Sequence, residues 1–118
     1  MKRDLPDRSK KFALRIVKLC QVLDQKPGIN KTLSRQLLRS GTSIGANIAE
    51  GEGAQSEADF LTKYSIAVKE AHESLYWLEL IEEAELIESA RLDGLKQECN
   101  ELAAILTTIC RKLKEKRK

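Results

Sequence analysis

The chain has 118 residues, 42% of them hydrophobic and 33% charged. That is long enough to bury a core without a metal or disulfide staple, and too charged for a membrane protein. The net charge of +3 is unevenly spread: residues 1–40 carry 11 basic and 3 acidic side chains, 41–105 carry 4 and 14, and 106–118 carry 6 and 1. Gly, Pro and aromatics are scarce, which leaves the good helix formers dominant. No apolar run approaches the roughly 20 residues that span a bilayer.

Helix 1 is predicted over about 7–23. Phe12, Ile16, Leu19, Cys20 and Leu23 recur at spacings of three and four, and Asp7 or Ser9 offers a cap. Lys26-Pro27-Gly28 ends it. Helix 2 is predicted over about 30–52, with Leu33, Leu37, Leu38, Ile44 and Ile48 inward, and the glycine-rich stretch Gly51–Gln55 reads as the turn that follows. Ser56 caps helix 3 (about 57–83), with Asp59 three residues later in a variant capping box. Phe60, Tyr64, Ala67, Ala71, Leu75, Leu78 and Ile81 keep the helical period. After a short connection near Glu85–Glu88, helix 4 (about 89–114) carries Leu92, Leu95, Cys99, Leu102, Leu106, Ile109, Cys110 and Leu113 on one stripe. Four helices with short connections pack most simply as an all-α, antiparallel up-down-up-down four-helix bundle, one domain over 1–118.

Helix 2 holds the most informative stretch. Gly41, Gly45 and Ala49 lie four apart and form a ridge without bulk, where another helix can approach closely. Glycine inside a helix costs roughly 1 kcal/mol against Ala, so its presence here asks for a packing reason. Beside the ridge run Arg35, Arg39, Ser43, Asn47 and Glu50, read as a partly buried polar seam that locks to helix 3 through Lys69, Glu70 or Glu73. Whether the seam closes within one subunit or between subunits is open at this level.

The run Gln36-Leu37-Leu38-Arg39-Ser40-Gly41-Thr42-Ser43-Ile44-Gly45-Ala46-Asn47-Ile48-Ala49-Glu50-Gly51 resembles the signature of the 23S rRNA intervening-sequence proteins. Asp59-Phe60-Leu61, Ser65-Ile66-Ala67-Val68-Lys69-Glu70-Ala71-His72-Glu73 and Tyr76-Trp77-Leu78 resemble that family's third helix, and the likeness runs over about residues 10 to 112. The resemblance implies antiparallel four-helix bundles that assemble into homopentamers, some encoded inside insertions in 23S rRNA genes. A related branch assists reverse transcriptases of diversity-generating retroelements and binds nucleic acid through a basic surface. No enzymatic activity is established for the family. Arg39, Ser43, Asn47 and Glu50 are signature positions, not a known site.

Tests for chemistry give little. A bundle di-iron site needs Glu-x-x-His on two helices, whereas the one histidine, His72, has Lys69 three residues before it. Cys99 and Cys110 are three helical turns apart, too far for one zinc ion. With Cys20 they read as buried structural thiols, an odd set suited to a reducing compartment. The Gly-Glu-Gly-Ala-Gln-Ser run lacks the lysine of a phosphate-binding loop. No enzyme, cofactor or metal is expected. Met1–Asp7 has no apolar segment after its charges, so it does not read as a signal peptide, and a cytoplasmic location is expected.

In an up-down-up-down bundle the start of helix 1 and the end of helix 4 share one end. Lys2, Arg3, Arg8, Lys10 and Lys11 are therefore expected near Arg111, Lys112, Lys114, Lys116, Arg117 and Lys118, with the acidic Glu52, Glu57 and Asp59 at the same end, as a basic cluster for RNA, DNA or a nucleic-acid-processing protein or, alternatively, as a solubilising tail that suits the helix dipole. The main partner expected is the chain itself, as a pentamer. The alternative is a protein-interaction scaffold without nucleic-acid binding, for which the adjacent Tyr76 and Trp77 supply a surplus aromatic.

Overall fold

The computed structural model describes residues 4–117. They form four helices and, among the described residues, no strand: α1 (Leu5–Leu23), α2 (Ile29–Glu52), α3 (Glu57–Glu83) and α4 (Ser89–Arg117). Successive helices run antiparallel. Ile16 of α1 lies over Gly41 of α2, Gly51 of α2 lies under Tyr64 of α3, and Cys99 of α4 donates to the Ala71 carbonyl of α3 at 3.2 Å. The up-down-up-down bundle expected from the four apolar stripes is what forms.

The boundaries match closely, with three differences at helix ends. α1 starts two residues earlier than expected, behind Asp4, whose side chain makes no capping bond. Pro6 sits in the first turn, where its missing N–H costs nothing and its fixed φ suits a helix. Neither Asp7 nor Ser9 is the cap: Ser9 is buried inside α1 and donates to the Pro6 carbonyl at 3.1 Å. Gly51 is not a turn residue but the buried last turn of α2, because an added Cβ would meet the Tyr64 ring at 2.7 Å. α4 continues to Arg117, since Lys, Glu and Arg are good helix formers and its basic last turn suits the negative end of the helix dipole.

The turns follow backbone chemistry. Gly28 enters α2 at φ 85°, a conformation that favours glycine. Ser56 accepts the Asp59 N–H at 3.0 Å, the hydroxyl half of the expected capping box. α3 ends in a Schellman turn: Leu86 N–H donates to Ile81 C=O at 3.1 Å and Glu85 N–H to Glu82 C=O at 2.9 Å. The left-handed residue this turn needs is Glu85, at φ 60°.

One cluster of buried side chains runs the length of the bundle, from Leu5, Phe12 and Ile16 through Leu37, Ile44 and Ile48 to Tyr64, Leu78, Leu92, Leu102 and Leu106. α1 meets α2 closely and α4 only sparsely, so the α1–α4 side is the loosest seam. The buried polar residues among those described are four serines and Glu70, and all are paired. Ser74 donates to Ser40 at 2.9 Å, and Ser34 and Cys20 each donate to the other's carbonyl at 3.4 Å. Cys20, Cys99 and Cys110 are all buried free thiols, as expected. Burial pushes the Cys99 thiol up to about 12, with the charges of Glu79 and Glu98 adding to it.

Candidate functional site

On the ridge of α2, Gly41 and Gly45 are the close-approach points. A Cβ on Gly41 would lie 2.9 Å from Ile16 Cγ2, and one on Gly45 would lie 3.2 Å from Ser9 Oγ and 3.4 Å from the Ser9 backbone. The bare stripe lets α1 pack almost against the α2 backbone. Ala49, the third expected member, is exposed, because the α1–α2 contact runs out near the first turn of α1.

The polar stripe is less of a lock than expected. Arg39 does cross to α3, pairing with Glu73 and with Glu70 Oε1 at 3.4 Å, while Trp77 Nε1 donates to Glu73 at 3.0 Å. Arg39 and then Trp77 hold the Glu73 carboxyl below its ordinary range. Ser43 and Asn47 bond to each other instead: the Asn47 amide donates to the Ser43 carbonyl at 2.8 Å and to its hydroxyl at 3.1 Å, both within α2. Glu50 is exposed and pairs with Lys63 at 3.1 Å. Short Ser and Asn side chains reach their own helix backbone more readily than a neighbouring helix. Between α2 and α3 a buried polar contact is Ser40–Ser74, one residue along from Arg39. Its residue types carry no charge signal, so periodicity alone left it unmarked.

The predicted basic cluster separates into parts. Lys2, Arg3 and Lys118 lie outside the described residues. Arg8 is clamped to the middle of α4, with Nε and Nη2 on the two oxygens of Glu98 at 3.0 and 2.7 Å and Nη2 on Glu101 at 2.9 Å. The Glu98 hydrogen bond leads in raising the Arg8 pKa, so its charge is permanent and already matched. Lys11 pairs with Asp7 at 3.2 Å, and Lys10 is exposed.

From that clamp α4 runs on to Arg117, about 24 Å at the usual rise per residue. Its end is held beside the start of α3 rather than the start of α1: Lys116 and Arg117 reach Glu57 at 3.0 and 3.8 Å. Arg111 pairs with Glu115 of its own helix at 3.5 Å. Lys112 and Lys114 are exposed and make no ion pair among the described residues. A groove of about 500 Å³ beside this end is lined by Ser65, Val68, Thr107, Cys110, Arg111, Lys114 and Glu115.

No group of three or more His, Cys, Asp or Glu able to hold a metal occurs among the described residues. His72 is exposed. No described helix is long and apolar enough to cross a membrane. The fold and these surfaces define an all-α four-helix bundle with a closed, apolar interior and a basic terminal helix. The chain belongs to the 23S rRNA-intervening sequence protein family, whose pattern it matches over residues 2–108. It is similar to the crystal structure of a protein of unknown function from the S23 ribosomal protein family of Bacteroides thetaiotaomicron. The two share 45% identity and a TM-score of 0.83, over 90% of this chain and 97% of that one. No curated protein matches it.

Proposed function

We propose that this protein is a non-enzymatic, cytoplasmic homo-oligomer, a pentamer, that binds nucleic acid electrostatically through the end of α4. The observation that carries the reading is the run Arg111–Arg117, five basic residues and one acidic on an exposed helix end, with Lys112 and Lys114 unmatched among the described residues. The ion pairs to Glu57 and Glu115 are exposed, and such pairs are worth only about 0–1 kcal/mol, so phosphates can compete for the cations. The pentamer rests on the family resemblance. Repeating the basic end in each subunit would raise avidity without new contacts.

Neutralising phosphates releases counterions, so affinity should fall steeply with salt. Fluorescence anisotropy with mixed-sequence RNA and DNA oligomers across a salt series tests this. Deleting Lys114 to Lys118 should weaken binding and flatten the salt slope while leaving the circular dichroism spectrum unchanged. Undetectable binding at low salt by a correctly assembled sample would reject the nucleic-acid reading in favour of a protein-interaction scaffold. That second reading is favoured by Tyr76, a large side chain 58% exposed and in edge contact with Trp77. Light scattering should give about five times the 13.3 kDa subunit mass. A mass of one subunit would refute assembly.

A further inference from the structure

The loose α1–α4 seam changes character along its length. At the Arg8 clamp it is closed by two carboxylates. Farther from the α1 N-terminus it opens into a groove of about 270 Å³ lined by Arg15, Lys18 and Arg91 over an apolar floor of Leu19, Val22 and Leu95. None of the lining residues is acidic, and none of the three cations makes an ion pair among the described residues. The nearby Asp93 exerts its charge on Lys96, which is bound to Glu82. Leu19 and Leu95 are buried, while all three cations are exposed.

Gly94 of α4 lies under Arg15 at the edge of this region. A Cβ there would lie 2.9 Å from Arg15 Nη2, so the Arg15 guanidinium rests across the bare backbone of α4. Arg15 and Lys18 of α1 and Arg91 of α4 line the one groove. Like charges gathered over a low-dielectric floor repel one another, and an anion placed between them relieves that repulsion.

We infer that the α1–α4 groove is a binding site for a phosphate ester, with the phosphate held by Arg15, Lys18 and Arg91 and the attached sugar against Leu19, Val22 and Leu95. Arginine forks match phosphate oxygens in pairs, and lysine adds a point charge. The volume falls just below the about 300–1,000 Å³ of drug-sized pockets, which suits one phosphate and its sugar rather than a whole cofactor. The same chemistry is offered by a free nucleotide and by one unit of a nucleic-acid strand. The site is separate from the α4 tail, so loss of binding on deleting Lys114 to Lys118 leaves it untouched.

The test is amide NMR on the ¹⁵N-labelled full chain at low salt. Adenosine 5′-monophosphate should move the Leu19, Gly94 and Leu95 signals in a saturable way, and adenosine should not. In Arg15→Gln/Arg91→Gln, two exposed substitutions that leave the fold intact, the affinity should fall by about tenfold or more. A mixed-sequence single-stranded DNA dodecamer then identifies the source. Movement of the same signals, lost in the double variant, assigns a strand, and silence of the dodecamer where the mononucleotide binds assigns a free nucleotide. The inference is overturned if neither phosphate ester moves these signals, if adenosine moves them as far, or if the double variant titrates like the wild type.

Discussion

Gly41→Ala tests the close packing of α1 on α2 most directly. The new Cβ would sit 2.9, 3.0 and 3.3 Å from Cγ2, Cγ1 and Cβ of Ile16. Carbon atoms rest comfortably at about 3.5–4.0 Å, so the helices must part by about 0.6–1 Å or Ile16 must turn. Ile16 is fully buried, and a β-branched side chain in a helix has essentially one χ1 well, so turning is costly. Overpacking of this kind costs about 1–3 kcal/mol. Replacing glycine in a helix returns about 1 kcal/mol. The net expectation is a loss of about 0–2 kcal/mol, which lowers the melting temperature by up to several degrees in a domain of this size. In an Ile16→Ala background the obstructing γ carbons are gone, so Gly41→Ala should become neutral or stabilising even though Ile16→Ala alone costs about 2–5 kcal/mol. Urea denaturation of the four proteins closes the double-mutant cycle. A Gly41→Ala protein more stable than wild type, or an equal cost in both backgrounds, would show that the glycine is not held by Ile16.

The Schellman turn after α3 holds Glu85 at φ 60°, which costs a side-chain-bearing residue about 1–2 kcal/mol. Glu85→Gly should therefore raise the melting temperature despite its greater unfolded-state entropy, and an unchanged or lower value in thermal melts would count against that strain. The Glu73 carboxyl is held low by Arg39 and Trp77, and that of Glu82 by Lys96. Depressed carboxylates contribute stability above their unfolded value, and that contribution is lost as pH falls through the folded one. Glu73→Gln should then cost less than about 1 kcal/mol at pH 7, since Arg39 is half exposed. The gap to wild type should narrow between about pH 5 and pH 3, and melting curves that stay parallel through that range would show that Glu73 carries none of the acid sensitivity.

Periodicity is a local property, and it was enough for the helices. Phe12-Ile16-Leu19-Leu23 and Leu92-Leu95-Cys99-Leu102-Leu106 are buried as their spacing requires. Ser56 caps α3 because its hydroxyl meets a donor only three residues away. Gly41 and Gly45 of α2 likewise announced a close approach, but not whose: Ile16 and Ser9 of α1 lie over them, while Gly51, read as a turn, is packed against Tyr64 of α3. The same division holds for charge. Sequence shows how many cations each end carries, but whether a cation is matched depends on carboxylates brought near by packing. Arg39 meets the Glu70 and Glu73 expected of the helix 2–helix 3 seam, but Arg8 is neutralised by Glu98 and Glu101 from the far end of the chain. Arg15, Lys18 and Arg91, spread over more than seventy positions in an otherwise unmarked pattern, become one unmatched group only because α1 and α4 meet antiparallel. Helix formation depends on neighbours three and four residues apart, which a sequence displays. Coulomb energy depends on distance through space, which only the packed bundle sets.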